Sequence, residues 1–530
     1  MYRILVSDPL EKTGLAMLRD SGHDVRELAA EDKHQLADLL PDFDALVVRS
    51  GTQVTADLLA AGKKNGEGRL RVVGRAGIGV DNVDTRAATE HGILVVNAPT
   101  ANQISATEHT FALLLALARN VAAADADIKT AAWNRKKFVG AELQDKKLGV
   151  IGFGRIGQQV ARRARAFDME ILAYDPFLDA ERIRLADARP MDLDALMAEA
   201  DVVTLHVPLT DETRGLLSGE RLRGMKEGAM LVNCARGGVV DEAVLLELLD
   251  SGHLAGAGLD VFEQEPPPDY RLAQHPRVVA TPHLGAQTRE AQVRISTQTA
   301  KMVLAALDGS LAVTAVNLPF RPAGPKGAPF LRLAEKLGHL AVSLTTKAVD
   351  RLEIELRGVD DDLHTPIAVA AVKGALTRSM GEAVNYVNAE TLAADRGIDV
   401  RRVVTDANLD YPNLITVQLS GDGDTQRIAG TLFHGREARI VEIGGYGLEF
   451  RPKGLLLVVR NHDVPGVVGK LGSILGDAGV NIAEIHLSRS GGDDRALAVV
   501  RLDDEPDASL LETVRALDEV SSAELLDIGQ

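Results

Sequence analysis

The stretch LGVIGFGRIGQQVARRARAFDMEILAYDP, Leu148–Pro176, constrains the fold more than any other part of the chain. An apolar run enters a G-x-G-x-x-G turn at Gly152, Gly154 and Gly157, a basic helical pattern leaves it, and a second apolar run ends on Asp175. Each glycine has its own task. The first permits a tight turn, the second lets backbone approach a pyrophosphate, and the third lets helix pack on strand. The helix N-terminus offers unpaired N–H groups to phosphate oxygens. Asp175 suits the hydroxyls of an adenosine ribose and repels a 2′-phosphate, and no Arg follows it immediately, so NAD is expected rather than NADP.

One such unit needs neighbours. Leu148–Gly152, Glu170–Tyr174, Asp201–His206, Ala229–Asn233, Gly256–Val261 and Val278–Thr281 are strand candidates, with helical patterns such as Gln158–Ala166 and Asp241–Ser251 between them. Together they make a complete doubly wound sheet. Upstream, Tyr2–Ser7, Ala45–Arg49, Arg71–Gly74 and Ile93–Asn97 read as strands of another parallel sheet, with a helix over Val54–Ala61 capped by Thr52 or Thr55. Ala101 to about Thr130 reads as one long helical run, apolar on more than one face and suited to burial between lobes or subunits. A helical return, Thr288–Leu307, follows the second sheet, and Asn317–Gly327 (NLPFRPAGPKG) reads as a linker. Beyond it Phe330–Lys347 is helical, Arg351–Gly358 a strand, helices run to Arg396, and the text from Leu414 alternates as hairpins. The C-terminal segment reads βαββαβ over Gly454–Asn461, Pro465–Ala478, Val480–Ser488, Ala496–Leu502, Ser509–Leu517 and Glu524–Ile528, with a turn at Gly491–Asp494.

Ligands of a doubly wound sheet bind at the carboxyl ends of its strands. Three polar residues fall there: Arg236 in NCARGGVVDE, Glu265 in GLDVFEQEPPP and His283 in TPHLGA. A planar guanidinium grips a carboxylate through two hydrogen bonds and polarises the adjacent carbonyl. Neutral imidazole takes a hydroxyl proton while hydride leaves the carbon for a nicotinamide, and imidazolium returns it in reduction. Glu265 would hold the other ring nitrogen and fix the tautomer. Solvation explains any one of these residues alone; three on successive strand ends beside a nucleotide site point to chemistry.

GFGRIG, NCARGGVVDE, GLDVFEQEPP and TPHLGA together resemble the D-isomer-specific 2-hydroxyacid dehydrogenase family. RAGIGVDNVD (Arg75–Asp84) and WNRKKFVGAEL (Trp133–Leu143) add a similarity to its long-form, phosphoglycerate-oxidising members, which carry the same two trailing domains. The resemblance implies an α/β fold of two doubly wound parallel-sheet lobes. A Rossmann nucleotide lobe, 99–283, is inserted in a flavodoxin-like substrate lobe made of 1–98 and 284–316. An α+β allosteric substrate-binding-like domain, 317–452, and a βαββαβ ACT regulatory domain, 453–530, complete the chain.

The resemblance makes Arg236, Glu265 and His283 the catalytic trio. It implies cofactor contacts at Arg155, Ile156, Val207, Cys234, Ala235, Asp260, Gly285 and Ala286, besides the glycine turn and Asp175. The implied reaction is NAD-dependent oxidation of 3-phospho-D-glycerate at C2 to 3-phosphohydroxypyruvate, the entry to L-serine synthesis. Arg49, Ser50, Arg75, Gly77 and Asn102 are implied near the substrate, and Arg135 resembles a residue that reaches a neighbouring subunit's site. Ile78 departs from a Thr common in relatives, with the loss of one cofactor hydrogen bond.

In RNHDVPGVVGKLG and the following GVNIA, Asn461, Asp463 and Asn481 fall where serine-sensing relatives hold the effector, so L-serine is the expected effector. Arg439, Arg451 and Arg501 would suit a second anion site. The resemblance implies a homo-oligomer, commonly a tetramer. A net charge of −17 argues against nucleic acid or an anionic membrane surface as main partner. The single cysteine, Cys234, excludes internal disulfides and an all-Cys zinc site, and no metal is expected. The apolar run Phe111–Ala118 is far short of the roughly 20 residues of a membrane span, and MYRILVSDPL lacks the pattern of a secretion signal, so a cytoplasmic protein is expected. The same hydride chemistry on another 2-hydroxy or 2-oxo acid such as glyoxylate is the alternative reading, and an NAD-responsive binding protein is a remote one.

Overall fold

The computed structural model describes residues 1–66, 68–310, 314–321, 324–345, 347–405, 410–489 and 494–529. The first sheet is parallel, with β1 (Arg3–Val6), β2 (Asp24–Glu27), β3 (Ala45–Val48), β4 (Val72–Arg75) and β5 (Leu94–Val96) in the order β2-β1-β3-β4-β5. Its central strands are Val/Leu runs because both faces are covered. Leu5, Leu46, Val48, Val73 and Val95 pack under Leu36, Leu40 and Leu59, while Ile4, Val6, Val47 and Val72 pack under Leu15, Leu18, Val303 and Leu307. β2, DVRE, is a polar edge strand with no apolar pattern to reveal it. Thr55, not Thr52, caps the helix Ala56–Lys63 by accepting from Leu58 N. The helix Arg289–Leu307 returns to this lobe, and bare Gly74 on β4 leaves the room that Val303 fills.

The second sheet is also parallel. It contains β6 (Lys147–Ile151), β7 (Glu170–Tyr174), β8 (Arg189–Pro190), β9 (Val202–Leu205), β10 (Met230–Asn233), β11 (Gly256–Leu259) and β12 (Val278–Ala280), ordered β12-β11-β10-β9-β6-β7-β8. The order reverses at β6/β9, which opens a crevice at the strands' carboxyl ends. The two-residue β8 is an addition to the six strands read from the sequence. The long run after Ala101 is not one helix. It breaks at Asn120, whose φ of 52° is left-handed, into Gln103–Ala118 and Val121–Lys129. Asn tolerates that conformation because its short polar side chain bonds locally. The first piece is buried against β11; the second has no buried residue, and Trp133 beyond it is 78% exposed.

The expected linker Asn317–Gly327 is largely structured. Asn317 accepts from Val95 N and donates to Ile93 O, so it is stitched to β5 of the first lobe. The helix Gly324–Ser343 begins inside the stretch, with Pro325 in its first turn, where a missing N–H costs nothing. The third sheet comprises β13 (Arg351–Arg357), β14 (Asp399–Val404), β15 (Leu414–Gly421), β16 (Asp424–Phe433), β17 (Glu437–Ile443) and β18 (Tyr446–Phe450), ordered β14-β13-β15-β16-β17-β18. β14, DVRRVV, is another polar edge strand that the sequence did not display. The fourth sheet is antiparallel, with β19 (Leu455–His462), β20 (Ile482–Arg489), β21 (Arg495–Leu502) and β22 (Val520–Asp527) in the order β20-β21-β19-β22. One face of it, Leu456, Val458, Leu497 and Val499, joins the core of the preceding domain; the other, Leu457, Val459, Ala498 and Val500, is covered by its own two helices. Most of the expected turn Gly491–Asp494 lies outside the described residues. Among the described residues no helix is long and apolar enough to cross a membrane.

Candidate active site

Each glycine of the nucleotide turn has its own geometric reason. Gly152 has φ 87°, and a Cβ there would lie 2.7 Å from His206 O. A Cβ on Gly157 would collide with Gly152 O, so helix and strand meet only without it. Gly154 faces open space, with nothing within 4 Å of an added Cβ. No side chain caps the helix Arg155–Arg165, so the N–H groups of its first turn remain available to an anion. Asp175 accepts from Phe153 N and Phe177 N, both at 2.9 Å, and this fixes its carboxylate at the rim of the turn. Val207 borders the turn: a Cβ on Gly152 would lie 2.8 Å from its side chain. Asn102 Oδ1 is buried without a protein partner. This donor and acceptor set fits a dinucleotide with a free ribose hydroxyl.

Past the strand ends, His283 Nδ1 and Glu265 Oε2 are 2.6 Å apart. Glu265 Oε1 also accepts from Phe262 N, and His283, at φ 54°, donates its backbone N–H to Asp260 O. Both side chains are therefore held from their own loops as well as by each other. A cavity of about 380 Å³ lies against the pair, lined by Phe262, Pro266, Tyr270, Ala273 and Pro282.

Asp260 organises this edge. Its carboxylate accepts from Thr281 Oγ1, Leu284 N, Gly285 N and His109 Nε2. Burial works to raise its pKa, but the bonds from His109, Thr281 and Leu284 hold it below the ordinary range. It is 1% exposed, so its role here is to shape the loop from His283 to Gly285. Ala286 O accepts from Gln292 Nε2, at the start of the returning helix. Ala235 N donates to Asn233 Oδ1, closing the turn that carries Arg236. Burial pushes the neighbouring Cys234 thiol up to about 12. His109 was not apparent in the sequence, because it lies in an Ala/Leu-rich helix.

Arg236 crosses between the lobes. Its Nε donates to Asp81 Oδ2 at 2.8 Å and its Nη1 to Ala235 O at 2.7 Å. Gly79 and Gly237 make this passage possible: a Cβ on the first would strike Arg236 Nη2, and one on the second would strike Phe262 O. Arg75 is half-buried beside it. Burial first, and then the charges of Arg236 and Arg49, lower its pKa to about 10, with Asp81 and Asp8 opposing. Arg49 N donates to Asp8 Oδ2 at 2.7 Å, and Asn82 ties the loops together by donating to Arg49 O and Thr52 O. Arg75 thus lies within the field of both Arg49 and Arg236, with Ser50 exposed beside Arg49. Gly77 makes room for Arg75, whose Nη1 a Cβ would strike. Ile78 O accepts from Asn97 Nδ2 at 2.6 Å. Asp8, Gly79, Asp81 and Asn82 were missed in the sequence, although the last three stand in the quoted stretch RAGIGVDNVD.

Other expected residues do not converge. Arg135 lies on an exposed single turn with Lys136 and Lys137. Asn461 and Asn481 sit at opposite ends of the fourth sheet: Asn461 pairs with Ala496 on β21, whereas Ile482, next to Asn481, pairs with Leu502. That separates them by about 20 Å. Asn461 Oδ1 is buried without a partner, Asp463 pairs with Arg489 at 3.1 Å, and Asn481 Nδ2 donates to Asp503. The three arginines expected at a second anion site, Arg439, Arg451 and Arg501, each have a carboxylate partner. The first two share Glu437, and Arg501 pairs with Glu484 at 2.9 Å.

A glycine turn shaped for a nucleotide and an imidazole–carboxylate pair on one sheet edge, with Arg236 of that edge bonded across to Asp81 of a second lobe, place the molecule among the nucleotide-dependent dehydrogenases. Comparison with known proteins narrows the class. Residues 111–285 match the D-isomer specific 2-hydroxyacid dehydrogenase NAD binding domain, 327–444 the D-3-phosphoglycerate dehydrogenase intervening domain, and 455–519 the ACT domain. D-3-phosphoglycerate dehydrogenase of Bacillus subtilis is 40% identical over 531 residues, covering 100% of both chains. D-3-phosphoglycerate dehydrogenase 2, chloroplastic, of Arabidopsis thaliana is 42% identical over 97% of this chain and 84% of its own. Among solved structures, Aquifex aeolicus D-lactate dehydrogenase complexed with NAD and lactic acid is 30% identical, with a TM-score of 0.53 over 59% of this chain and 98% of its own. The chain belongs to the D-3-phosphoglycerate dehydrogenase family.

Proposed function

We propose that this chain oxidises the C2 hydroxyl of 3-phospho-D-glycerate to 3-phosphohydroxypyruvate with NAD, the step that opens L-serine synthesis. The observation that carries the reading is the Glu265–His283 pair past the strand ends of the sheet whose β10 leads to Arg236, with Arg236 bonded across to Asp81 of the first lobe, beside Arg75. A phosphorylated hydroxy acid has two anionic ends, and guanidiniums from two lobes suit them. NAD, when bound, supplies the hydride acceptor. His283 Nε2 takes the hydroxyl proton as the C2–H bond gives up its electron pair. Glu265 Oε2 holds Nδ1, which leaves Nε2 as the basic nitrogen and stabilises the imidazolium that forms. Arg236 grips the substrate carboxylate, and Arg75 and Arg49 face the phosphate. The test is turnover of 3-phospho-D-glycerate with NAD, followed by the absorbance of the reduced nicotinamide. D-glycerate and glycolate, the unphosphorylated 2-hydroxy acids, oxidised equally well would overturn the phosphate assignment.

The regulatory part of the reading is feedback by L-serine in a cytoplasmic homo-oligomer, as a tetramer. It is supported by the ACT domain match and by the buried, unpartnered Asn461 Oδ1. The separation of Asn461 and Asn481 within one chain supports an effector site shared between two chains.

A further inference from the structure

The bond between Arg236 and Asp81 takes no part in the transfer of proton or hydride. Arg236 stands on the loop after β10 and Asp81 on the loop after β4, so their 2.8 Å contact spans the cleft between the lobes. A guanidinium presents two edges, one made by Nε and Nη2 and one by the two Nη groups. Here Nε is taken by Asp81 and one Nη1 hydrogen by Ala235 O, while Nη2 lies over bare Gly79 with no hydrogen-bond partner among the described residues. The Nη edge is therefore the one left for a ligand. Arg75, from the first lobe, lies within the field of both Arg236 and Asp81, so the carboxylate also offsets the repulsion between two like charges.

We propose that Asp81 is a positioning residue for this reaction: from the opposite lobe it holds Arg236 by Nε, so that the Nη edge faces the carboxylate of a 2-hydroxy acid. The proposal rests on the reading of Arg236 as the carboxylate clamp. An arginine side chain has several rotatable bonds, and a guanidinium displaced by about 1 Å no longer matches both carboxylate oxygens; such misplacement costs about 10²-fold in rate. Asp81 acts before the substrate arrives, as a fixed counter-charge that orders the clamp and brings the two lobes together. It touches neither substrate nor cofactor.

The experiment is steady-state kinetics on the full chain, with 3-phospho-D-glycerate varied at saturating NAD, alongside thermal midpoints. Asp81→Ala is expected to lower kcat/KM for the hydroxy acid by about 10²-fold, with the KM for NAD within about two-fold of wild type. Asp81→Asn keeps an oxygen that accepts from Nε and is expected to recover at least about ten-fold of that loss. Arg236→Lys has no Nε–H to hold; it is expected to lose activity by itself, and adding Asp81→Ala to it changes little further. If Arg236→Lys retains full kcat/KM, the clamp reading falls and the proposal with it. If Arg236→Lys loses activity but Asp81→Ala does not, or lowers the KM for the hydroxy acid as a displaced competitor would, the positioning role alone is overturned. Should Asp81→Ala fail to fold, Asp81→Asn in the wild-type and Arg236→Lys backgrounds decides: an equal loss in both overturns the proposal.

Discussion

His283 Nδ1 and Glu265 Oε2 meet at 2.6 Å, eighteen residues apart in the chain. The contact is held from outside as well as by itself. His283 sits in a left-handed backbone conformation with its N–H on Asp260 O, and Glu265 places its second oxygen on Phe262 N. An imidazole fixed in this way offers Nε2 to a hydroxyl without first reorganising. His283→Ala is expected to lower kcat by about 10²–10⁴-fold and leave NAD affinity nearly intact. Glu265→Gln, which exchanges an anionic partner for a neutral amide, is expected to cost less. Nicotinamide fluorescence titration beside turnover separates binding from chemistry, and unchanged turnover of His283→Ala would remove it as the base.

The glycine turn makes a different separation. Gly157 has no room for a Cβ beside Gly152 O, whereas Gly154 has nothing within 4 Å. Gly157→Ala is therefore expected to lower the thermal midpoint of the lobe, with a destabilisation of about 1–3 kcal/mol from overpacking. Gly154→Ala is expected to melt as wild type does and to raise the KM for NAD by about ten-fold or more, because its methyl group occupies the space where a pyrophosphate approaches. Equal midpoints for both variants would contradict this division.

What was legible in the sequence follows from where each signal is generated. β1, β3, β4 and β6 are apolar runs because they are buried on both faces, and their candidates differ from the observed strands by at most one residue at each end. β2 and β14 were illegible because exposed edge strands such as DVRE and DVRRVV carry no burial pattern. The break at Asn120 depends on one left-handed residue inside otherwise continuous helical text. Strand ends revealed Arg236, Glu265 and His283. Asp81 and His109 stayed hidden, since each is defined by a partner in a distant segment: Arg236 lies 155 positions from Asp81, and Asp260 lies 151 from His109. The resemblance that groups Asn461, Asp463 and Asn481 does not say which end of a sheet each residue occupies; Asn461 and Asn481 lie at opposite ends.

Asp260 carries a pH-dependent share of stability. Its carboxyl is held below the ordinary range in the folded state, so its contribution is complete above the unfolded carboxylate pKa and is lost as pH falls through the depressed value. Asp260→Asn turns an amide group toward the N–H donors of Leu284 and Gly285 and is expected to destabilise by about 3 kcal/mol at neutral pH. The gap from wild type should narrow as acid protonates the native carboxyl. Thermal midpoints measured from neutral to strongly acidic pH test this, and a constant gap would contradict it.

Cys234 sits among the expected cofactor contacts, yet its thiol is pushed up to about 12 by burial. At pH 8 almost none of it is thiolate, the form that reacts. The folded protein is expected to resist maleimide labelling and to keep its turnover. In denaturant one thiol per chain should label, counted by intact mass. Rapid labelling of the native protein would place the thiol in an open, ionised environment.

The two ends of the fourth sheet allow a test of where an effector binds. Asn461, with its buried and unpartnered Oδ1, lies about 20 Å along the sheet from Asn481, so one chain cannot bring both to one serine molecule. A site completed by a second chain predicts a specific complementation. Asn461→Ala and Asn481→Ala, each assembled alone, are expected to weaken the serine response by about ten-fold or more, the value of one hydrogen bond to a charged ligand group. In a mixed pair, one shared site carries both substitutions and the other carries neither, so one intact site returns. Co-expressed, differently tagged chains purified through both tags should therefore regain part of the wild-type response at low serine. A mixed assembly as insensitive as either parent would mean that each chain binds its effector without help from its neighbour, with Asn481 held instead by its bond to Asp503.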